Sequence, residues 1–184
     1  GNKGRNKVVG AIAGAAVGGA IGYSMDKQAK EVAESLNTNV NNNPTAALDP
    51  NQDLIVSNTD NYVKIMFRDD MMFETNSANP TPSASAKIAK INSVLQKYPN
   101  TLVQVVGHTD SRGTHAYNLA LSEKRATNVG NIINSTGVQN QIFSKGCSFD
   151  KPIALNNSDA NMGLNRRVEV YLYPNQQSVI DVCR

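Results

Sequence analysis

A glycine repeat near the N-terminus restricts what the start of this chain can fold into. Residues 8–25 carry no charge, and glycines recur within them at four-residue spacing, at Gly10, Gly14, Gly18 and Gly22. In a helix, this spacing brings the glycines onto one face, and the missing side chains let another helix approach closely. Eighteen residues at about 1.5 Å rise span about 27 Å, which just reaches the thickness of a bilayer's hydrocarbon core. The repeat therefore predicts a helix that packs on other helices or inserts in a membrane.

Three other interpretations of residues 8–25 stay open. Lys3, Arg5 and Lys7 precede the segment as in a signal peptide, although it contains no Leu and a chain starting at Gly1 favours a processed start. The segment also fits a flexible Gly/Ala linker, or a soluble helix packed on a partner. It resembles the glycine-zipper segments of some bacterial envelope proteins, which favours membrane insertion or helix packing. Its many glycines make it weakly hydrophobic, so a membrane helix would need partner helices.

A change in pattern after the glycines sets the predicted domain organisation. Residues 26–36 continue the helical periodicity, with apolar side chains on one side. Residues 37–52 are rich in Asn, contain two prolines and show no periodicity, which predicts a linker or a surface loop. We therefore divide the chain into a helical segment, a linker, a globular domain and a tail. These cover residues 1–36, 37–52, 53–174 and 175–184.

The globular part alternates short strands with helices. A helix is predicted from Pro82 to the stop at Pro99, and a second from His115 to about Ser135. The predicted strands cover residues 54–57, 62–67, 101–107, 142–147 and 168–173. This alternation predicts an α/β (α+β) sandwich with a mixed sheet, helices on one face and a β-α-β-α-β-β order, preceded by the Gly-rich helix.

The composition excludes several classes of function. A net charge of +3 spread along 184 residues, with 5% aromatic residues and no Trp, argues against nucleic-acid binding. Two cysteines without a C-x-x-C motif argue against a structural zinc site, and we expect no metal and no cofactor. His108 and His115 are the only histidines, and no nucleophile stands in an elbow motif, so we do not expect an enzyme.

Opposite charges are predicted to meet after the strand at residues 101–107. Asp110 leaves this strand just before a helix, where α/β sheets usually place ligands. Asn118 and Arg125 are seven residues apart on that helix, so they project from nearly the same face. Such a pair suits a zwitterion, with its ammonium on Asp110 and its carboxylate on Arg125. Alternatively, Asp110 caps the helix or forms a turn with Ser111, and Arg125 makes a surface salt bridge.

Four motifs in order carry a family resemblance. They are F-E-T-N from Phe73, G-H-T-D ending at Asp110, Y-N-x-x-L-S-x-x-R-A from Tyr117, and N-R-R-V from Asn165. Over residues 60–174 the chain resembles the OmpA C-terminal-like family of peptidoglycan-binding domains. The resemblance implies that Asp110 and Arg125 bind the diaminopimelate of the stem peptide.

The same resemblance assigns the other site residues. Thr109, Asn118 and Arg166 are implied as supporting contacts, with Leu121 as a wall of the site. Phe73 and Glu74 come from the early loop. Glu74 is one methylene longer than the Asp or Asn of many relatives, so it is either a ligand of the ammonium or a solvated loop acid.

The resemblance also implies an envelope protein. We expect a non-enzymatic cell-wall anchor at the periplasmic face of the outer membrane, attached by its N-terminal helix and by a lipid if an acylated Cys precedes Gly1. An oxidising periplasm favours a disulfide between Cys147 and Cys183 over two unrelated thiols. The alternative function is a structural subunit of a larger envelope machine or homo-oligomer, in which the glycine face packs on partners.

Overall fold

A five-stranded mixed sheet forms the centre of the molecule. The computed structural model describes the backbone from residue 13 to residue 184 and the side chains from residue 19. The spatial order is β1-β2-β5-β3-β4, in which only β3 and β4 run parallel. The strands are β1 Leu54–Asn58, β2 Val63–Arg68, β3 Leu102–His108, β4 Ile142–Gly146 and β5 Arg167–Tyr173. The last strand is thus inserted between the hairpin and β3, which brings distant parts of the chain together.

The helices confirm the predicted fold class, with three local differences. They are α1 Ala13–Ser35, α2 Asp69–Met72, α3 Pro82–Ala89, α4 Asn92–Lys97, α5 His115–Ser135 and α6 Asp159–Asn165. The single helix expected between Pro82 and Pro99 is two helices, α3 and α4. The helix α6, which begins after a Ser158 cap, lies between the predicted strands at residues 142–147 and 168–173, where no helix was predicted. The one-turn helix α2 was not predicted either.

Strict alternation along β5 gives the sheet two buried faces. Val168, Val170 and Leu172 belong to the main core beneath the helices, whereas Glu169 and Tyr171 are buried on the opposite face. On that opposite face, short apolar clusters are covered by residues 44–48 and by the C-terminal tail. Both faces of the sheet are therefore largely covered, and Glu169 on the second face is hydrogen-bonded to Arg167 and Tyr171.

The second half of α1 belongs to the main core. The apolar side chains predicted along one side of residues 26–36 are buried, as is Met25. A Cβ atom built on Gly22 would lie 2.9 Å from Oδ1 of Asp60, in the turn between β1 and β2. Gly22 therefore permits a close approach to the chain's own domain. Gly10 lies outside the described residues, and for Gly14 and Gly18 the structure describes the backbone alone.

No helix within residues 13–184 combines the length and the apolar character needed to cross a membrane.

The segment 37–52 is irregular, as its composition predicts, but it is attached to the sheet. Val40 forms a bridge with Val56 of β1. The buried guanidinium of Arg68 donates to the carbonyl oxygens of Ala47 and Gln52, at 3.0 and 2.9 Å. The segment is therefore a surface loop that is hydrogen-bonded to the sheet, and not a flexible linker between α1 and the sheet.

The predicted disulfide between Cys147 and Cys183 is confirmed. The two Cα atoms lie 5.2 Å apart, and the bond ties the tail to the end of β4. It holds Val182 against Tyr171 and Tyr173 on the second face of the sheet.

Candidate functional site

Two glycines bring α5 close to the sheet. A Cβ atom on Gly107 of β3 would lie 2.3 Å from the carbonyl oxygen of Ser122, and one on Gly146 of β4 would lie 2.5 Å from the backbone nitrogen of Glu123. A side chain at either position would separate the helix from the strands. The close approach places the middle of α5 beside the loop that leaves β3, which carries Asp110.

A cavity of about 310 Å³ opens at this junction. The structure brings six of the predicted side chains into its lining, including Arg166, which follows the last residue of α6. The full lining is Asp69, Asp70, Thr75, Asn76, Thr109, Asp110, Arg112, Tyr117, Asn118, Leu121, Arg125 and Arg166. Three carboxylates and three guanidiniums are in this set, so the formal charges of the cavity cancel.

Asp110 is buried and paired with Arg166. Its Oδ2 lies 2.7 Å from Nη1 of Arg166, and its Oδ1 accepts a 2.9 Å hydrogen bond from the backbone nitrogen of Arg112. Thr114, and not Asp110, caps α5, because its side chain accepts from the backbone nitrogen of Tyr117. The capping alternative for Asp110 is therefore wrong, whereas the alternative of a turn at Ser111 is confirmed. The carboxylate of Asp110 closes this turn and also lines the cavity.

Arg125 is buried rather than on the surface. Its Nη1 forms an ion pair with Asp69, and its Nε donates to the carbonyl oxygen of Ser77 at 2.9 Å. Its guanidinium lies 4.5 Å above the ring of Phe73, a distance typical of a cation–π contact. Burial lowers the pKa of Arg125 and Asp69 opposes this shift. The guanidinium stays charged in any physiological medium.

Asp69 is a buried, charged site residue that the sequence analysis missed. It begins the one-turn helix α2 directly after β2, and its backbone nitrogen donates to the carbonyl oxygen of Arg166 at 3.0 Å. Its carboxylate pairs with Arg125 and lies 3.9 Å from Nε of Arg166. Burial raises the pKa of Asp69 above its ordinary value, although Arg125 and Arg166 act in the opposite direction. The charges therefore alternate along a row, from Asp110 through Arg166 and Asp69 to Arg125.

The other predicted residues take different places. Asn118 donates to the carbonyl oxygen of Arg112 at 2.6 Å and so holds the loop after β3. Thr109 donates to the carbonyl oxygen of Asp110 at 2.9 Å, and Leu121 lines the cavity. Phe73 lies buried beneath Arg125 and does not line the cavity.

Glu74 is exposed and is not part of the cavity lining. Its neighbours Thr75 and Asn76 line the cavity instead, and Asn76 has a positive φ of 61°. The predicted contact of Glu74 with a ligand therefore has no support in the geometry.

The two histidines lie apart from this cavity. His108 is buried on the second face of the sheet, where its Nε2 is 3.1 Å from Glu169, and His115 pairs with Asp150 at 2.9 Å. Across the part of the chain that the structure describes, no group of three or more His, Cys, Asp or Glu residues is arranged to hold a metal ion.

The sequence pattern that defines the OmpA family matches residues 72–166, just over half of the chain. The chain belongs to the OmpA family. The resemblance inferred from the four motifs is thus confirmed, and the match includes Asp110, Arg125 and Arg166. Asp69 lies just before the matched residues.

Individual members of the OmpA family are similar over the same domain. The probable lipoprotein YiaD of Escherichia coli is 37% identical over 103 residues, which are 55% of this chain and 47% of YiaD. The peptidoglycan-associated lipoprotein of Brucella melitensis is 31% identical over 105 residues, 56% of this chain and 62% of that protein. The chain thus covers less than two thirds of the length of these relatives.

Solved structures share the fold. The cell wall anchor of the type VI secretion system from Pseudomonas aeruginosa superimposes with a TM-score of 0.60 at 28% identity, covering 68% of this chain and 90% of that one. The peptidoglycan-associated lipoprotein of Burkholderia pseudomallei gives 0.51 at 30% identity, covering 55% and 87%. This OmpA-like domain is a binding module and not an enzyme.

Proposed function

We propose that this OmpA-family chain binds peptidoglycan non-covalently and anchors an envelope component to the cell wall. The observation that carries the proposal is the neutral cavity in which Asp110 and Arg125 lie together, each buried and held by neighbouring side chains. The names of a peptidoglycan-associated lipoprotein and a cell wall anchor among similar proteins support it.

The chemistry of the cavity suits the free end of diaminopimelate. This group carries an ammonium and a carboxylate on one carbon atom, so its charges cancel as those of the cavity do. Asp110 accepts hydrogen bonds from the ammonium. Arg125 donates to the carboxylate through the N–H groups that it does not already use to bind Ser77 and Asp69. Arg166, Thr109 and Asn118 provide supporting contacts for the ligand's ammonium and carboxylate. Leu121 packs on the methylene chain.

Phe73 supports Arg125 from below, and Glu74 has no part in this proposal. The cavity needs no metal and no cofactor for this function, because the ligand is held by charge and hydrogen bonds alone.

Pull-down on purified peptidoglycan sacculi tests the proposal. We expect Asp110→Ala and Arg125→Ala each to weaken binding at least tenfold, since either change leaves a ligand charge unpaired in a buried site. Lys124→Ala is the matched control, because Lys124 is an exposed cation on the same helix that does not line the cavity. Binding that persists undiminished in both variants, or that the parent lacks, would overturn the proposal.

We further propose that the protein lies at the periplasmic face of the outer membrane, attached by its N-terminal segment. The support is the similarity to envelope lipoproteins together with the glycine repeat. Deletion of residues 8–18 spares the packed half of α1, and it is expected to release the protein from the membrane fraction. A protein that still fractionates with membranes after this deletion would place the attachment elsewhere, in a lipid or in a partner.

A further inference from the structure

Asp69 occupies the position between two cationic side chains of the cavity. It is 7% exposed and Arg125 is 5% exposed, so their ion pair is largely shielded from solvent. The second carboxylate oxygen of Asp69 lies 3.9 Å from Nε of Arg166. One carboxylate therefore neutralises the part of the cavity to which a ligand carboxylate would bind.

This arrangement weakens the binding of ligands that carry only negative charge. A carboxylate that approaches Arg125 meets Asp69 at the same guanidinium, and like charges at such distances repel in a shielded site. An ammonium on the same ligand offsets that repulsion, because the buried carboxylate of Asp110 lines the same cavity. Without Asp69, Arg125 and Arg166 would attract any carboxylate.

We infer that Asp69 determines the charge specificity of the cavity, so that it admits a zwitterion and rejects a simple carboxylate. The inference rests on the proposed function and extends it, since it names a residue that selects the ligand in addition to those that hold it. Asp69 acts through Arg125 and Arg166, and so it is a positioning and specificity residue.

Asp70 provides a matched comparison. It is the next residue in α2, carries the same charge and lines the same cavity, but it is exposed. No hydrogen bond or ion pair joins Asp70 to the cavity's guanidiniums as the described side chains are arranged. Asp70→Asn therefore removes the same formal charge from the cavity without changing the environment of Arg125. A difference between the two Asn variants isolates the direct contact from the overall charge.

The test compares two ligands that differ only in their amino groups, meso-diaminopimelate and pimelate. Affinities are measured by calorimetric titration of the full chain, and the readout is the ratio of the two dissociation constants. We expect the parent to prefer diaminopimelate, and Asp69→Asn to reduce this preference at least tenfold through weaker binding of diaminopimelate and tighter binding of pimelate. Asp70→Asn is expected to change the ratio less than threefold, and Asp69→Glu to retain most of it.

The outcomes separate this inference from the proposed function. A parent that binds neither compound overturns both. A parent that prefers diaminopimelate, with equal ratios in Asp69→Asn and Asp70→Asn, overturns the inference and leaves the function standing. A purely structural role for Asp69 lowers both affinities together and leaves the ratio unchanged. If Asp69→Asn does not fold, Asp69→Ser gives the same measurement, because its hydroxyl offers Arg125 an acceptor of smaller volume.

Discussion

Replacement of Gly107 by Ala should damage both the fold and the cavity. The added Cβ would lie 2.3 Å from the carbonyl oxygen of Ser122, whereas ordinary contacts begin at 3.4 Å, so α5 would have to move by about 1 Å. The opposing atom is backbone, and no change of side-chain rotamer relieves the overlap. Overpacking of this kind costs about 1–3 kcal/mol, and we expect the upper end of that range. For a chain of this size, 3 kcal/mol corresponds to a melting temperature lower by about 6–12 °C.

The same movement should weaken binding of diaminopimelate, because Asn118 and Arg125 lie one turn on either side of Ser122 in α5. Urea unfolding and ligand titration of Gly107→Ala measure the two effects. Gly19→Ala is the control, since a Cβ there has no neighbour within 4 Å and alanine favours helix by up to about 1 kcal/mol. A Gly107→Ala protein that unfolds within about 0.5 kcal/mol of the parent would refute this account of how α5 is seated.

Two further predictions concern the second face of the sheet. The disulfide closes a loop with a sequence separation of 36, so Cys147→Ser with Cys183→Ser should lower the free energy of unfolding in urea by up to about 4 kcal/mol; a loss below about 1 kcal/mol would contradict this. Stability should also fall as the pH falls. Burial lowers the pKa of His108 below 6.5, and Arg167 and His108 overcome burial to hold the pKa of Glu169 well below 4.5. The unfolded chain therefore binds more protons, first below about pH 6.5 and again below about pH 4.5. His108→Gln should flatten the first part of this dependence in urea unfolding, and an unchanged slope would refute the assignment to His108.

Local sequence patterns were sufficient to predict the strands and α5. The strands predicted at residues 101–107 and 168–173 agree within one residue with β3 and β5, and the helix predicted from His115 to about Ser135 agrees with α5. The break between α3 and α4 was not visible, because Ile88, Ile91 and Leu95 keep helical spacing across it and all three are buried. Periodicity records which side chains face the core and not whether the backbone between them is continuous.

Half of the residues that line the cavity could be predicted from local sequence patterns. Asp110 and Arg125 lie on neighbouring elements of the chain, and their spacing places both at the same cavity. The position of Asp69 depends on the pairing of β2 with β5, in which Arg68 lies opposite Arg167 and thereby brings Asp69 to Arg166. That contact joins residues almost a hundred positions apart, and no local pattern encodes it. Two adjacent acids directly after a strand were the only available signal.

The docking of α1 on the sheet determines how the molecule would carry mechanical load. A pull on the N-terminus would reach the sheet through the contacts of Met25, Ala29 and Val32, because these residues precede the loop at 37–52. The helix would have to shear from the core before that loop could extend. Once released, the loop would add about 55 Å at about 3.4 Å per residue. Below the force that detaches α1, the distance between the helix and the cavity is fixed. Above that force, the chain lengthens only as the loop's bridge to Val56 and its hydrogen bonds with Arg68 break.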